Sequence, residues 1–259
     1  MGKTRKRTSG TKEWANHNVN CVKGCANDCR YCYAKMMGKR FGRCTDKTWE
    51  KMVIRKDVLE KRFPKYNGRV MFPSSHDIVD DPKIKAACFK VISKLLQAGN
   101  EVLITTKPDL KVTKEILDKF SNYKDTIQFR FTITSNNDEL LAFWERNAPK
   151  YEDRLESVIL AYKEGFKTSV SIEPFLDYNP QELVRVIAPY VTESIWIGPM
   201  NYIPRNNIPE NDFPEYEKIR KNYETSHLKE IYQELRDFPK IRFKDSMMIK
   251  LNLPPNNCD

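Results

Sequence analysis

The chain has 259 residues, 40% hydrophobic and 31% charged, with the two kinds interleaved. That suits one α/β barrel-like unit or two modest domains and excludes wholesale disorder. No apolar run approaches a membrane span, and no apolar h-region follows the basic start, so neither a membrane nor an exported protein is expected. The net charge of +10 is uneven: residues 1–69 hold 19 Lys and Arg against 6 Asp and Glu, and the remainder 26 against 29. A basic first quarter on a near-neutral body points to an anionic partner, with nucleic acid or a nucleotide foremost.

In chain order, residues 1–13 read as a basic tail, with Lys3-Thr4-Arg5-Lys6-Arg7 at its heart, and 14–259 as a single domain. Residues 14–20 are polar and lead into a cysteine cluster. Strand-like runs follow at 69–72, 101–105, 127–133, 168–172, 194–197 and, more weakly, 240–243. Helical patterns lie between them at 47–62, 82–98, 110–120, 152–164, 180–190 and 214–236. Asp81-Pro82 opens the second of these as N-cap and first-turn proline, and Gly99-Asn100 closes it. Such alternation implies a parallel sheet in a partial (β/α)6 TIM-like barrel to about residue 200, then a helical C-terminal extension over 201–259. In this architecture chemistry sits at the carboxyl ends of the strands.

Of the seven cysteines, Cys21, Cys25, Cys29 and Cys32 lie within twelve residues, too close together for sound disulfides. An odd count without an export signal suggests a reducing cytoplasm and a metal or cluster. Cys25-Ala26-Asn27-Asp28-Cys29-Arg30-Tyr31-Cys32 has the spacing C-x3-C-x2-C, with an aromatic residue before the last cysteine. Three thiolates on a cubane leave one iron open to a small molecule. The basic neighbours Lys23, Arg30 and Lys35 are expected to help ionise the thiols. Cys21 as a fourth ligand leaves two rivals open: a structural zinc site in a nucleic-acid-binding protein, or a closed electron-transfer cluster.

This loop, followed by an alternating β/α body, resembles the radical SAM superfamily. Over residues 20–174 the chain is similar to the spore photoproduct lyase-like branch and its phage-associated relatives. The resemblance rests on Thr105-Thr106-Lys107-Pro108, Phe131-Thr132-Ile133-Thr134-Ser135, Glu145-Arg146-Asn147, Asp153-Arg154-Leu155 and Ser171-Ile172-Glu173-Pro174. It implies a [4Fe–4S] cluster on Cys25, Cys29 and Cys32 whose free iron chelates S-adenosylmethionine (SAM). Reductive cleavage of SAM would then yield a 5′-deoxyadenosyl radical that abstracts hydrogen from a substrate. It further implies Tyr31 and Tyr33 near the adenosyl group, Lys107 and Ser135 on the SAM carboxylate, and Ser74, Ser75 and Glu173 as further SAM contacts. Glu145 and Arg146 either pair with each other or lie beside SAM.

His76 and Asp77, at a strand end, are the candidates for proton transfer. One departure stands out: Ser74 occupies the place where photoproduct lyases carry a hydrogen-donating cysteine. Cys44, Cys88 or Cys258 could substitute only if the fold brings one near. Cys88 reads as core, and residues 202–213 read as a long loop over the mouth. A reductant such as a flavodoxin or ferredoxin is the implied partner; the oligomeric state is left open.

Overall fold

The computed structural model describes residues 10–206 and 208–254. The run Lys3–Arg7 and Cys258 lie outside the described residues. The sheet is parallel throughout and has seven strands where six were expected. The extra one, β1 (His17–Asn18), lies at one edge and pairs with β4 (Val70–Phe72). From β4 the order continues through β5 (Val102–Thr106), β6 (Ile127–Thr132), β7 (Lys167–Ile172), β8 (Ile195–Ile197) and β9 (Ile241–Phe243). All six expected strands are therefore present, in a half-barrel. Two residues inside a polar stretch gave β1 no periodic signal; its hydrogen bonds to β4 define it.

Side-chain alternation explains which face holds the core. Along β6, Ile127, Phe129 and Phe131 join the apolar cluster, and Phe129 meets Phe166 edge-on. The alternate residues Gln128 and Arg130 share the Ser169 hydroxyl of β7, and Arg130 also reaches Ser194. One face of the sheet thus packs on helices and the other is lined by hydrogen-bonding groups.

Two helical expectations are corrected. Instead of one helix over 47–62 there are α2 (Asp46–Trp49), β3 (Val53–Ile54) and α3 (Lys56–Glu60), following α1 (Tyr33–Arg40). The β-branched Val53 and Ile54 pair antiparallel with β2 (Val22–Lys23), and this tertiary pairing overrides local helix propensity. Gly24, just after β2, has φ +85°, and a Cβ there would stand 2.4 Å from the Trp49 carbonyl oxygen. Only glycine fits that turn.

The remaining helices are α4 (Pro82–Gln97), α5 (Leu110–Lys119), α6 (Asp138–Trp144), α7 (Tyr151–Lys163) and α8 (Pro180–Ile187). Asp81 caps α4 through the Lys83 and Ile84 amides, as its sequence indicates. The expected helix over 214–236 is two, α9 (Phe213–Asn222) and α10 (Thr225–Leu235), before a final α11 (Asp245–Lys250). The break falls where Asn222 and Tyr223 bond the carbonyls of Leu176 and Phe175, which holds the loop after β7. No helix among the described residues is long and apolar enough to cross a membrane. Residues 10–13, assigned to the tail from sequence, form a short 3-10 helix that buries Glu13.

Candidate active site

The cysteine loop runs from Gly24 to α1 and is tied to four parts of the fold. The Cys25 amide donates to the Trp49 carbonyl (2.9 Å), so the end of α2 anchors its start. Asn27 donates to Asp77 Oδ2 (2.8 Å), beyond β4. Asn147 donates to the Ala26 carbonyl (2.9 Å), and the Arg30 amide to that of Trp144 (2.8 Å). At its end, Cys32 caps α1, its sulfur accepting from the Lys35 amide. None of these anchors is local in sequence except the last.

Asp77 fastens this loop, and His76 fastens the chain just ahead of β2. Asp77 accepts from Asn27, from the backbone amides of Lys107 (2.9 Å) and Ile78 (2.8 Å), and from the Thr106 hydroxyl. His76 is buried: Nδ1 meets the Asp77 carbonyl (3.1 Å) and Nε2 accepts from the Cys21 amide (3.2 Å). Both ring nitrogens are hydrogen-bonded within the fold. Ser74 and Ser75 donate their amides to Asn20 Oδ1 (2.7 and 2.9 Å), while Asn20 Nδ2 donates to the Ser74 hydroxyl (2.9 Å). The Ser74 proton is left available to a ligand.

Beside the loop, Glu145 is the buried hub. It is ion-paired with Arg154 at 2.6 Å, both side chains 0% exposed, and accepts from the hydroxyls of Thr134 (2.8 Å) and Tyr31. Burial alone would raise its carboxyl, but Arg154 and then Lys107 outweigh it and hold Glu145 below the usual range. The expected Glu145–Arg146 pair does not form: Arg146 is half exposed and reaches Asp28 at 3.5 Å instead.

Lys107 leaves β5 with its ammonium 3.9 Å from Glu145 and 5.5 Å from the centre of the Tyr31 ring. Because Arg154 already neutralises Glu145 at short range, much of the Lys107 charge is uncommitted. Burial works against that charge, yet Cys29, Glu145 and Asp77 overcome it and keep the lysine protonated.

Ser135 is fully buried, gives its proton to Asp177 (2.8 Å) and accepts from the Asn137 amide. Tyr31 and Tyr33 part company: Tyr31 points to Glu145, whereas Tyr33, at the first position of α1, is 60% exposed. Glu173, just after β7, shares Lys244 (3.5 Å) with Glu13 (2.7 Å) and accepts from Asn201 (3.4 Å).

The three loop cysteines suit an iron–sulfur cluster by their chemistry. Burial pushes the Cys25 thiol up to about 12, with Asp77 adding to the effect, and burial also raises Cys29 and Cys32. The expected help from basic neighbours is small, because Arg30 is engaged by Asp212 and the Phe143 carbonyl, and Lys35 by Asp28 (2.6 Å). Iron would supply the positive charge that such thiols need to ionise. Among the described residues no three metal-binding side chains converge on a single metal-ion site, and a cubane takes its ligands at separate corners. Cys21 is directed elsewhere, its sulfur 3.8 Å from that of Cys88 in the core. Cys44 packs behind Gly38 on α1, so neither it nor Cys88 stands in for the missing lyase cysteine.

The supporting residues Asn20, Asn27, Asn147 and Arg154 carry no signal of their role in the sequence; the three asparagines have partners 50 or more residues away, and Arg154 meets Glu145 only because α7 folds back on it.

Uncharacterized protein ORF301 of Acidianus two-tailed virus is 29% identical over 177 residues, 64% of this chain and 57% of that protein. Uncharacterized protein MJ0683 of Methanocaldococcus jannaschii is 27% identical over 179 residues, 67% of this chain and 66% of that protein. This chain therefore matches under two thirds of the length of either relative. In fold it is similar to spore photoproduct lyase complexed with dinucleoside spore photoproduct, with TM-score 0.57 and 15% identity over 93% of this chain and 79% of that one. Streptococcus suis SuiB bound to precursor peptide SuiA gives TM-score 0.50 and 12% identity over 71% of this chain and 39% of that one. The profile of the radical SAM superfamily matches residues 19–188, which include the cysteine loop, Lys107, Glu145 and Arg154, and this chain belongs to that superfamily.

Proposed function

We propose that this chain is a radical SAM enzyme acting on a nucleic acid or nucleotide. The observation that carries the reading is one loop presenting Cys25, Cys29 and Cys32 beside the under-committed Lys107 ammonium. These cysteines would hold a [4Fe–4S] cluster, which with bound SAM and one electron supplies a 5′-deoxyadenosyl radical for hydrogen abstraction. Lys107 would meet the SAM carboxylate in a charge-assisted hydrogen bond, strengthened by its partial burial. Tyr31, fixed by Glu145, would offer its ring beside the adenosyl group, and Ser74 would offer its free proton. Asp77 and Asn147 hold the cysteine loop in place.

The basic first quarter of the chain supports a polyanionic substrate. Spore photoproduct lyase, similar in fold, was solved with a dinucleoside lesion, but Ser74 in place of a thiol argues for a different outcome of the radical step. Anaerobic reconstitution with iron and sulfide, followed by dithionite and SAM, should release 5′-deoxyadenosine. Cys29→Ala should abolish that product and Cys21→Ala should leave it. Loss of the cluster in Cys21→Ala, or zinc in place of iron, would overturn the reading. Substrate class is tested by binding of DNA, RNA and free nucleotides across a salt series, where a flat response excludes a polyanion.

A further inference from the structure

We infer that the face formed by α1, α2 and the start of β3 is the docking surface for an acidic one-electron carrier protein. The inference rests on the radical SAM reading, which needs an electron delivered to the cluster from outside. Cys32 is itself the N-cap of α1, so this face grows directly from a cluster ligand. The tyrosines on either side of Cys32 divide the space: Tyr31 turns in to Glu145, and Tyr33 is exposed to solvent. Electron transfer falls steeply with distance, so a carrier gains most by docking where a ligand lies just beneath the surface.

Charge identifies the partner. Residues 33–56 hold eight Lys and Arg against two acidic residues. Lys35 and Lys39 are used on Asp28 and Asp46, and Arg55 on Asp57. Arg40, Arg43, Lys47 and Lys51 are exposed and have no carboxylate partner among the described residues. Phe41 stands 55% exposed among them, with the Arg43 guanidinium 5.0 Å and that of Arg40 6.0 Å from its ring centre. An exposed aromatic flanked by arginines has the composition of an interface anchor, and the unpaired cations would complement an acidic surface. A nucleic-acid strand would satisfy the same charges, but the Tyr31 side of the loop, with Lys107 and Glu145, is the side that faces the reacting group.

The test compares the reconstituted wild type with Arg40→Glu/Arg43→Glu/Lys47→Glu/Lys51→Glu and, separately, with Phe41→Ala. 5′-Deoxyadenosine formation is driven either by dithionite or by reduced flavodoxin, and flavodoxin binding is measured directly by calorimetry at low and high salt. The charge-reversed variant should keep its iron content and dithionite-driven rate. Its flavodoxin-driven rate should fall about tenfold or more at low salt, with flavodoxin binding lost. Phe41→Ala should weaken binding without altering its salt dependence. Unchanged flavodoxin binding in the charge-reversed variant would overturn the inference, as would loss of single-stranded oligonucleotide binding with the flavodoxin response intact. If wild type makes no 5′-deoxyadenosine even with dithionite, the radical SAM reading fails, and the calorimetry still decides whether the face binds flavodoxin.

Discussion

One charged cluster is built around Lys107, just after β5, and another around Glu173 and Lys244, just after β7 and β9, and they use their charges differently. At the cysteine loop, Glu145 and Arg154 are both sealed from water and ion-paired with each other, which leaves Lys107 beside them with a weak claim at 3.9 Å. At the ends of β7 and β9 the ratio is reversed: one lysine, Lys244, serves both Glu13 and Glu173 while lying over the ring of Trp14 at 4.2 Å. The first cluster has a cation to offer a ligand; the second consumes its cation internally and ties residues 10–14 to the end of β9. A surplus of one charge separates a binding group from a structural clasp.

Breaking the sealed pair should have the largest effect. Arg154→Ala leaves a buried, unpaired carboxylate, and the expected loss is about 3–5 kcal/mol, read by chemical denaturation. Asp77→Ala removes the acceptor that joins Asn27 to the end of β5. It should cost about 1–3 kcal/mol and lower the iron retained after reconstitution. Lys107→Met should leave stability near that of the wild type while weakening SAM binding about tenfold to a hundredfold, measured by calorimetry on the reconstituted protein. Lys244→Met should show the converse, lower stability with SAM affinity unchanged. Equal loss of SAM binding in both lysine variants would erase the distinction between the clusters.

The smallest effect is one of sign. Glu145 is held below the ordinary carboxylate range, so the folded state binds its proton less tightly than the unfolded state does. Its contribution to stability is present above the ordinary value near 4.5 and is lost as pH falls. Glu13 is raised, mainly by burial, which Lys244 only partly offsets. Its contribution is fullest below 4.5 and declines as pH rises. Melting curves across pH should therefore show wild type gaining on Glu145→Gln with rising pH and losing ground to Glu13→Gln over the same range.

The parts of this arrangement legible in the sequence are those whose signals are local. Cysteine spacing, the Asp81-Pro82 start of α4 and the buried-type strands each depend on neighbours a few residues apart. The unread parts depend on partners far along the chain. Ser135 looks like a free donor until Asp177, 42 residues later, takes its proton. Glu145 and Arg146 are adjacent in sequence but turn apart, because Arg154 lies one helix further on. The helix expected over 47–62 gives way to a strand only because Val22 and Lys23 are there to pair with it. His76 and Asp77 read as reactive groups in the sequence, whereas the bonds that place them come from Cys21 and Asn27, 55 and 50 residues away.

The central claim is that three cysteines hold a cluster with one iron left open to SAM. Mössbauer spectra of the iron-57-reconstituted protein, taken with and without SAM, test it most directly. About one iron in four should move to a distinct, higher-coordinate signature when SAM is added, and Cys21→Ala should behave in the same way. Four irons indifferent to SAM, or a spectrum that collapses in Cys21→Ala, would contradict it.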